Sequence, residues 1–179
     1  MSRKPRPAAP GQNLDTDAMI RVDHAGEYGA VRIYEGQLAV LRGAAAETVR
    51  HMAAQEERHL KAFDALVNAR QVRPTALEPL WRVAGFTLGA ATALMGEKAA
   101  MACTAAVEEV IDEHYGAQIE ALGESDPALK QTVTDFRADE AAHRETAMAH
   151  GAEEAPGYKL LSGAIKAGCR LAIKLSERI

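Results

Sequence analysis

The chain has 179 residues, a formal net charge of −4 and an aromatic content of 4%. That length suits one sizeable core rather than two, the charge is too mild for general nucleic-acid binding, and abundant Ala, Leu, Glu and Arg favour helices over strands. The two cysteines, Cys103 and Cys169, lack CxxC spacing, which excludes a disulfide scaffold or cysteine metal knuckle and points to a reducing compartment.

In chain order, residues 1–14 carry basic side chains and three prolines but no apolar stretch. They read as a disordered leader, not a secretory signal, ahead of a single domain over 15–179. Asp15, Thr16 and Asp17 can cap a first helix whose apolar positions Ile20, Val31, Leu38 and Leu41 recur at helical spacing, with Gly43 as its stop. A second helix runs from about Ala45 to Ala69 on a stripe of Val49, Met52, Leu60, Phe63 and Leu66, then a Pro-containing connection spans Arg70 to Pro79. Leu80 to Leu122 reads as helical with a bend or break near Gly85, Gly89 or Gly96, and its second half is the third bundle helix. Asp126-Pro127 opens a fourth helix that Gly151 closes. Tyr158 to Ile179 forms a last amphipathic helix, with a row of cations at Lys159, Lys166, Arg170, Lys174 and Arg178 and with Leu161, Ile165, Leu171 and Leu175 on its other side. The longest apolar run, Val83 to Gly96, has 14 residues, too short for a helix that spans a bilayer. The expected fold is all-α: an antiparallel four-helix bundle with an additional apolar segment and a C-terminal amphipathic helix.

Two ExxH motifs, Glu56 to His59 and Glu140 to His143, each place an acid and an imidazole on one helix face. A lone ExxH is usually a solvated Glu and a surface His, but here both pairs lie on the apolar stripe. Val49, Met52, Leu60 and Phe63 flank Glu56 at helical spacing, and Val133 and Phe136 precede Glu140. Glu27, between Ile20 and Val31, and Glu108, between Met101 and Ile111, pass the same test, so each bundle helix offers an inward acid. Burying unpaired carboxylates costs several kcal/mol each, so four of them must pair or hold metal. Height agrees as well. Glu27 lies 16 residues before Gly43 and Glu56 lies 13 after it, while Glu108 lies 15 before Gly123 and Glu140 lies 14 after Asp126. At roughly 1.5 Å per residue, each pair comes level to within about one turn. A faint repeat, with Glu27, Tyr34 and Gln37 matching Glu108, Tyr115 and Gln118, suggests two helix hairpins about a pseudo-twofold axis. The pattern is the ligand set of ferritin-like di-iron proteins, and its oxygen and nitrogen donors suit iron or manganese.

Longer stretches carry a resemblance: RVDHAGEYGA (Arg21 to Ala30), EERHLKAF (Glu56 to Phe63), RPTALEPLWRVAGFTLGAATALMG (Arg73 to Gly96), ACTAAVEEVIDEHY (Ala102 to Tyr115) and AGCRLAIKLSERI (Ala167 to Ile179). From about Ala18 to Ile179 the chain resembles the demethoxyubiquinone hydroxylases. The resemblance implies a di-iron monooxygenase that uses O2 to hydroxylate the ring of demethoxyubiquinol, a substrate with a polyprenyl tail, late in ubiquinone synthesis. It also implies that Glu27, Glu56 and His59 bind one iron, that Glu108, Glu140 and His143 bind the other, and that Glu56 and Glu140 bridge. Electrons come from outside, from NADH or from the quinol, since no nucleotide-binding motif is visible. A peripheral position on the bacterial inner membrane, cytoplasmic side, is favoured over the matrix side of a mitochondrial one. Self-association or a lipid-binding partner protein is a further implication.

Other residues stay open between readings. Val83 to Gly96 is either ordinary core or a lipid-facing lid that admits the tail, and the resemblance favours the lid; the cation row suits anionic headgroups or an acidic partner. His24, His51, His114 and His150 lack a partner at ligand spacing; His51 and His150 read as surface residues, and His114 is a candidate for the substrate's vicinity. Tyr34 and Tyr115 lie on the ligand face, as gates, hydrogen-bond donors or packing. Asp23, Asp112 and Asp139 are candidates to orient the ligand histidines, and both cysteines read as packing. Competing functions are an iron-storage ferroxidase, which needs a polar cage-forming surface, a rubrerythrin-type peroxidase, which needs a cysteine-bound iron module, and a non-catalytic membrane-associated scaffold.

Overall fold

A computed structural model describes residues 15–179, so the leader expected over 1–14 lies outside the described residues. The described chain is helical: α1 (Thr16–Val40), α2 (Gly43–Arg70), α3 (Glu78–Leu94), α4 (Glu97–Leu122), α5 (Pro127–Ala149) and α6 (Tyr158–Ser176), with a short 3-10 turn at Ala152–Glu154. Asp15 caps α1 by accepting from the Ala18 N–H at 3.0 Å, and Asp126 caps α5 by accepting from the Leu129 N–H at 3.1 Å. The first hairpin turn is tighter than expected. α1 ends at Val40 and α2 begins at Gly43, whose φ of +64° lets the chain reverse with only Leu41 and Arg42 between helices.

Among the three glycines where a break was expected, the chain breaks at Gly96, whose φ of +116° is closed to L side chains. Gly85 and Gly89 remain inside an unbroken α3, and they serve packing instead. A Cβ on Gly89 would lie 1.9 Å from the Ile33 carbonyl oxygen, and one on Gly36 would lie 2.1 Å from that of Phe86. The two helices therefore meet backbone to backbone. That contact turns Gly85, Gly89, Thr92 and Ala93 inward and leaves Leu80, Val83, Phe86, Leu94 and Met95 exposed.

α1 with α2 and α4 with α5 form the two hairpins, α3 lies along α1, and α6 lies along α4. One core cluster, around Val49, Met52, Met101 and Ala105, fills one end of the bundle; Ile20, Phe63, Tyr115, Leu122 and Val133 fill the other. The ligand level lies between them. On α6, the five-cation row is thinner than the sequence suggests. Lys166 pairs with Glu109 at 2.5 Å and Arg170 with Glu113 at 2.9 Å, both on α4, which leaves Lys159, Lys174 and Arg178 exposed.

Candidate metal centre and its cavity

Four helices each turn one acid to the same level of the bundle: Glu27 from α1, Glu56 with His59 from α2, Glu108 from α4, and Glu140 with His143 from α5. None of the six side chains is more than 3% exposed. They fall into two overlapping groups, Glu27, Glu56, His59 and Glu140, and Glu56, Glu108, Glu140 and His143; within each group the donor atoms lie within 4.8 Å of one another. Glu56 and Glu140 belong to both. His59 Nδ1 stands 3.5 Å from Glu27 Oε2 and 3.1 Å from Glu140 Oε1, and His143 Nδ1 stands 3.0 Å from Glu56 Oε1 and 3.2 Å from Glu140 Oε2.

The centre fits a pair of cations because its own atoms are unsatisfied without them. Glu27 Oε2, Glu56 Oε1, His59 Nδ1 and Glu140 Oε1 are buried with no hydrogen-bond partner. Leaving such groups bare costs on the order of 1–3 kcal/mol apiece, more for charged ones. Four carboxylates and two imidazoles form a hard and borderline donor set suited to iron or manganese. Burial, reinforced by the neighbouring carboxylates, pushes Glu56 and Glu108 well above the usual carboxylate range, and burial raises Glu27 too. Burial opposes charge on His59, but the Glu140 and Glu27 carboxylates beside it win and push it up to about 10. Glu140 goes the other way: burial would raise it, yet the His143 and His59 imidazoles beside it pull it far down.

The surrounding shell repeats across the pseudo-twofold axis. The Tyr34 hydroxyl donates to Glu108 Oε1 at 2.9 Å, and the Tyr115 hydroxyl donates to Glu27 Oε1. Gln37 donates to Thr104 Oγ1 at 3.3 Å, and Gln118 donates to Asp23 Oδ1 at 2.8 Å. Of the three aspartates proposed to orient ligand histidines, only Asp139 does so, its Oδ2 standing 3.0 Å from His59 Nε2. Asp23 instead faces His114 and Gln118, and Asp112 pairs with Arg137, because the helical turn carries both away from the imidazoles. The residue missed is Gln55, whose Oε1 lies 3.0 Å from His143 Nε2. Its signal was present: Gln55 immediately precedes the first ExxH as Asp139 precedes the second.

Other histidines separate clearly. His51 and His150 are exposed, as expected, while His24 is buried and meets Asp64 at 2.9 Å. His114 lines a narrow cleft together with Asp23, Gly26, Glu27, Glu56, Glu108, Tyr115 and Glu140. Cys103 is fully buried, whereas Cys169 borders a larger cavity.

That cavity, 540 Å³ in volume, lies between α1, α3, α4 and α6 and is lined almost wholly by apolar atoms, among them Ala25, Ile33, Leu88, Val107, Leu161 and Ile165. Such a volume is that of a small-molecule site. Val22, Gly26, Ala30, Ile111 and Ile173 border both the cavity and the cleft, so the apolar space adjoins the cleft that reaches the carboxylates. At one end Trp81 Nε1 donates to Ser176 Oγ at 3.1 Å, tying α3 to α6.

Comparison with known proteins shows the family. A family model described as ubiquinone biosynthesis protein COQ7 matches residues 15–176. The chain is 57% identical over 175 residues to a 3-demethoxyubiquinol 3-hydroxylase of Rhodospirillum rubrum, covering 97% of this chain and 82% of the relative. It is 53% identical over 168 residues to the mitochondrial NADPH-dependent 3-demethoxyubiquinone 3-hydroxylase of Homo sapiens, covering 91% and 77%. To the mitochondrial 5-demethoxyubiquinone hydroxylase of Saccharomyces cerevisiae it is 39% identical over 202 residues, covering 99% and 87%. With one family model spanning nearly all of the described residues and relatives this similar, the chain belongs to the COQ7 family of ubiquinone biosynthesis proteins.

Proposed function

We infer that residues 15–179 form one hydroxylase domain that converts demethoxyubiquinol to its ring-hydroxylated product. One observation carries the reading beyond family membership: an apolar cavity of small-molecule size lies against a narrow cleft that borders a buried cluster of four carboxylates and two imidazoles. In the reaction a ring C–H becomes C–OH with one atom of O2. The other atom leaves as water, with two electrons and two protons drawn from an external donor. Relatives named NADPH-dependent favour a reduced nicotinamide as that donor over the quinol itself.

Glu27, Glu56, His59 and Glu140 would hold one iron, and Glu56, Glu108, Glu140 and His143 the other, with Glu56 and Glu140 common to both groups. Iron held there would supply the redox chemistry that activates O2. The remaining steps belong to the chain. Tyr34 and Tyr115 hold the terminal acids Glu108 and Glu27 by hydrogen bonds, which keeps both from rotating out of the cluster. Gly26 and Ala30, which border both the cleft and the cavity, would let the quinol ring approach the carboxylates past small residues. The apolar walls exclude water, and the polyprenyl tail follows the cavity outward between α3 and α6.

The outward faces of those two helices suit a peripheral place on a membrane. Leu80, Val83, Phe86, Leu94 and Met95 on α3 and Leu160 and Leu171 on α6 are exposed, with Lys159 and Lys174 beside them. No helix among the described residues is long and apolar enough to cross a membrane. The matching surface is the bacterial inner membrane on its cytoplasmic side, the counterpart of the mitochondrial location in the eukaryotic relatives' names.

Anaerobic loading with ferrous iron, followed by demethoxyubiquinol, a reductant and O2, tests the reading by counting iron and product together. Two irons per chain with hydroxylated quinol are expected. Two irons with only ferric oxide and water would make the protein a ferroxidase, and Glu140→Ala with retained activity would overturn the site.

A further inference from the structure

The pseudo-twofold axis relates Glu27 to Glu108, Tyr34 to Tyr115, Glu56 to Glu140 and His59 to His143, and most of the centre obeys it in chemistry as well as position. Each terminal acid takes a phenol hydrogen bond from the opposite half. Each imidazole turns Nδ1 toward the carboxylates and Nε2 toward a side chain on the other hairpin, at the same 3.0 Å. At that last contact the symmetry of charge fails, as it also does farther out where Gln118 meets Asp23 and Gln37 meets Thr104. His59 meets the carboxylate of Asp139, and His143 meets the neutral amide oxygen of Gln55. Both acceptor oxygens only accept, so each Nε2 donates to its partner and Nδ1 is the nitrogen each imidazole would offer to a cation.

Resting on the metal-centre reading above, we propose that the two halves of the centre are unequal: the Glu27–His59 half binds a divalent cation more tightly than the Glu108–His143 half, because Asp139 is charged and Gln55 is not. A hydrogen bond to an anion is roughly twice as strong as one to a neutral acceptor. It places more electron density on the metal-facing nitrogen, and partners of this kind change metal affinity by about 10–100-fold. Arg58 Nη2 lies 3.9 Å from Asp139 Oδ2, and the Asp139 side chain is 36% exposed, so the lower end of that range applies. Asp139 and Gln55 are thus positioning residues that act through the histidines. The consequence is an ordered loading. At substoichiometric metal the protein accumulates a one-ion form with its ion beside His59, and hydroxylation, which needs both ions, lags behind metal content.

An anaerobic titration of the full chain with Co²⁺, followed by calorimetry and by the paramagnetically shifted imidazole N–H proton resonances, tests this without turnover. The expected result is two steps about tenfold apart, with one shifted N–H resonance at the first equivalent and a second only at the next. Asp139→Asn weakens the first step about tenfold, merges the two, and moves the resonance that appears first in the wild type. Gln55→Glu, a near-isosteric change at a half-buried position, strengthens the second step and so narrows the gap from the other side. A single step with both resonances growing together in the wild type overturns the proposal, as does an Asp139→Asn protein that keeps its helical signal and an unchanged first step. A wild-type chain that binds no Co²⁺ overturns the metal centre itself, whereas equal binding at two sites overturns the asymmetry alone.

Discussion

Gly26 stands where the apolar cavity adjoins the cleft that reaches the carboxylates, and a Cβ added there meets only Ile111 Cδ1, at 3.9 Å. The backbone therefore tolerates a side chain that the cleft does not. Gly26→Leu is expected to keep two irons per chain and lower quinol hydroxylation more than tenfold, read as product per bound iron. Titration gives a second expectation at the same scale. Glu27, Glu56 and Glu108 are raised by burial and neighbouring charge, so an entering cation must displace their protons. Metal affinity then rises with pH, and loading in weak buffer releases protons. For the metal-free fold, His59 is raised to about 10, so its stabilising contribution is complete below pH 6.5 and is lost as the pH climbs through 10. The raised acids act in the same direction. Glu140 is lowered, so its contribution is present above its ordinary 4.5 and is lost only in strong acid. Thermal melts should show Tm falling between pH 7 and 10 without metal and a flatter profile with it. All six candidate ligands could be picked from the sequence because a buried Glu on an apolar stripe is costly and therefore conspicuous. Gln55 was marked only by its place before the first ExxH, and what it does depends on His143, 88 positions away along the chain.

Helix α3 shows how one residue type serves two purposes. Gly96 supplies a backbone conformation, and Gly89 supplies empty space for the Ile33 carbonyl. Gly89→Leu should push α3 off α1, costing about 1–3 kcal/mol or more through overpacking, seen as a lower denaturation midpoint and a loss of quinol turnover. By contrast, removing the exposed Arg170–Glu113 pair between α6 and α4 should change stability by less than about 1 kcal/mol, as surface pairs do. Boundaries were legible wherever a local signal sets them, as with Asp15, Asp126 and Pro127, whose side chains act on their own helix. The purposes of Gly85 and Gly89 were not, because sequence alone cannot separate a glycine needed for its φ from one needed for its missing Cβ.

For the molecule as a whole, the α3 and α6 faces carry the apolar residues that the bundle does not use. Val83→Asp combined with Leu94→Asp should reduce cosedimentation with anionic vesicles and turnover of a long-tailed quinol, while turnover of a soluble short-tailed quinol stays near wild type. Both side chains point away from the cavity and the carboxylates, being 65% and 75% exposed. Equal losses on both quinols would place these residues in the fold rather than at a membrane.

The sequence by itself determined the helical class, the bundle hairpins and the inward face of every bundle helix. These follow from hydrophobic period, capping residues and the cost of burying charge, all of which act within a few turns of chain. Only the tertiary structure decided what lies between the elements. The cavity is a space shared by α1, α3, α4 and α6, the cation row is partly cancelled by acids on α4, and the two ligand histidines are backed by unlike partners. A void, an ion pair across helices and a crossed hydrogen bond depend on how separately formed helices meet, and no local pattern along one helix encodes that meeting.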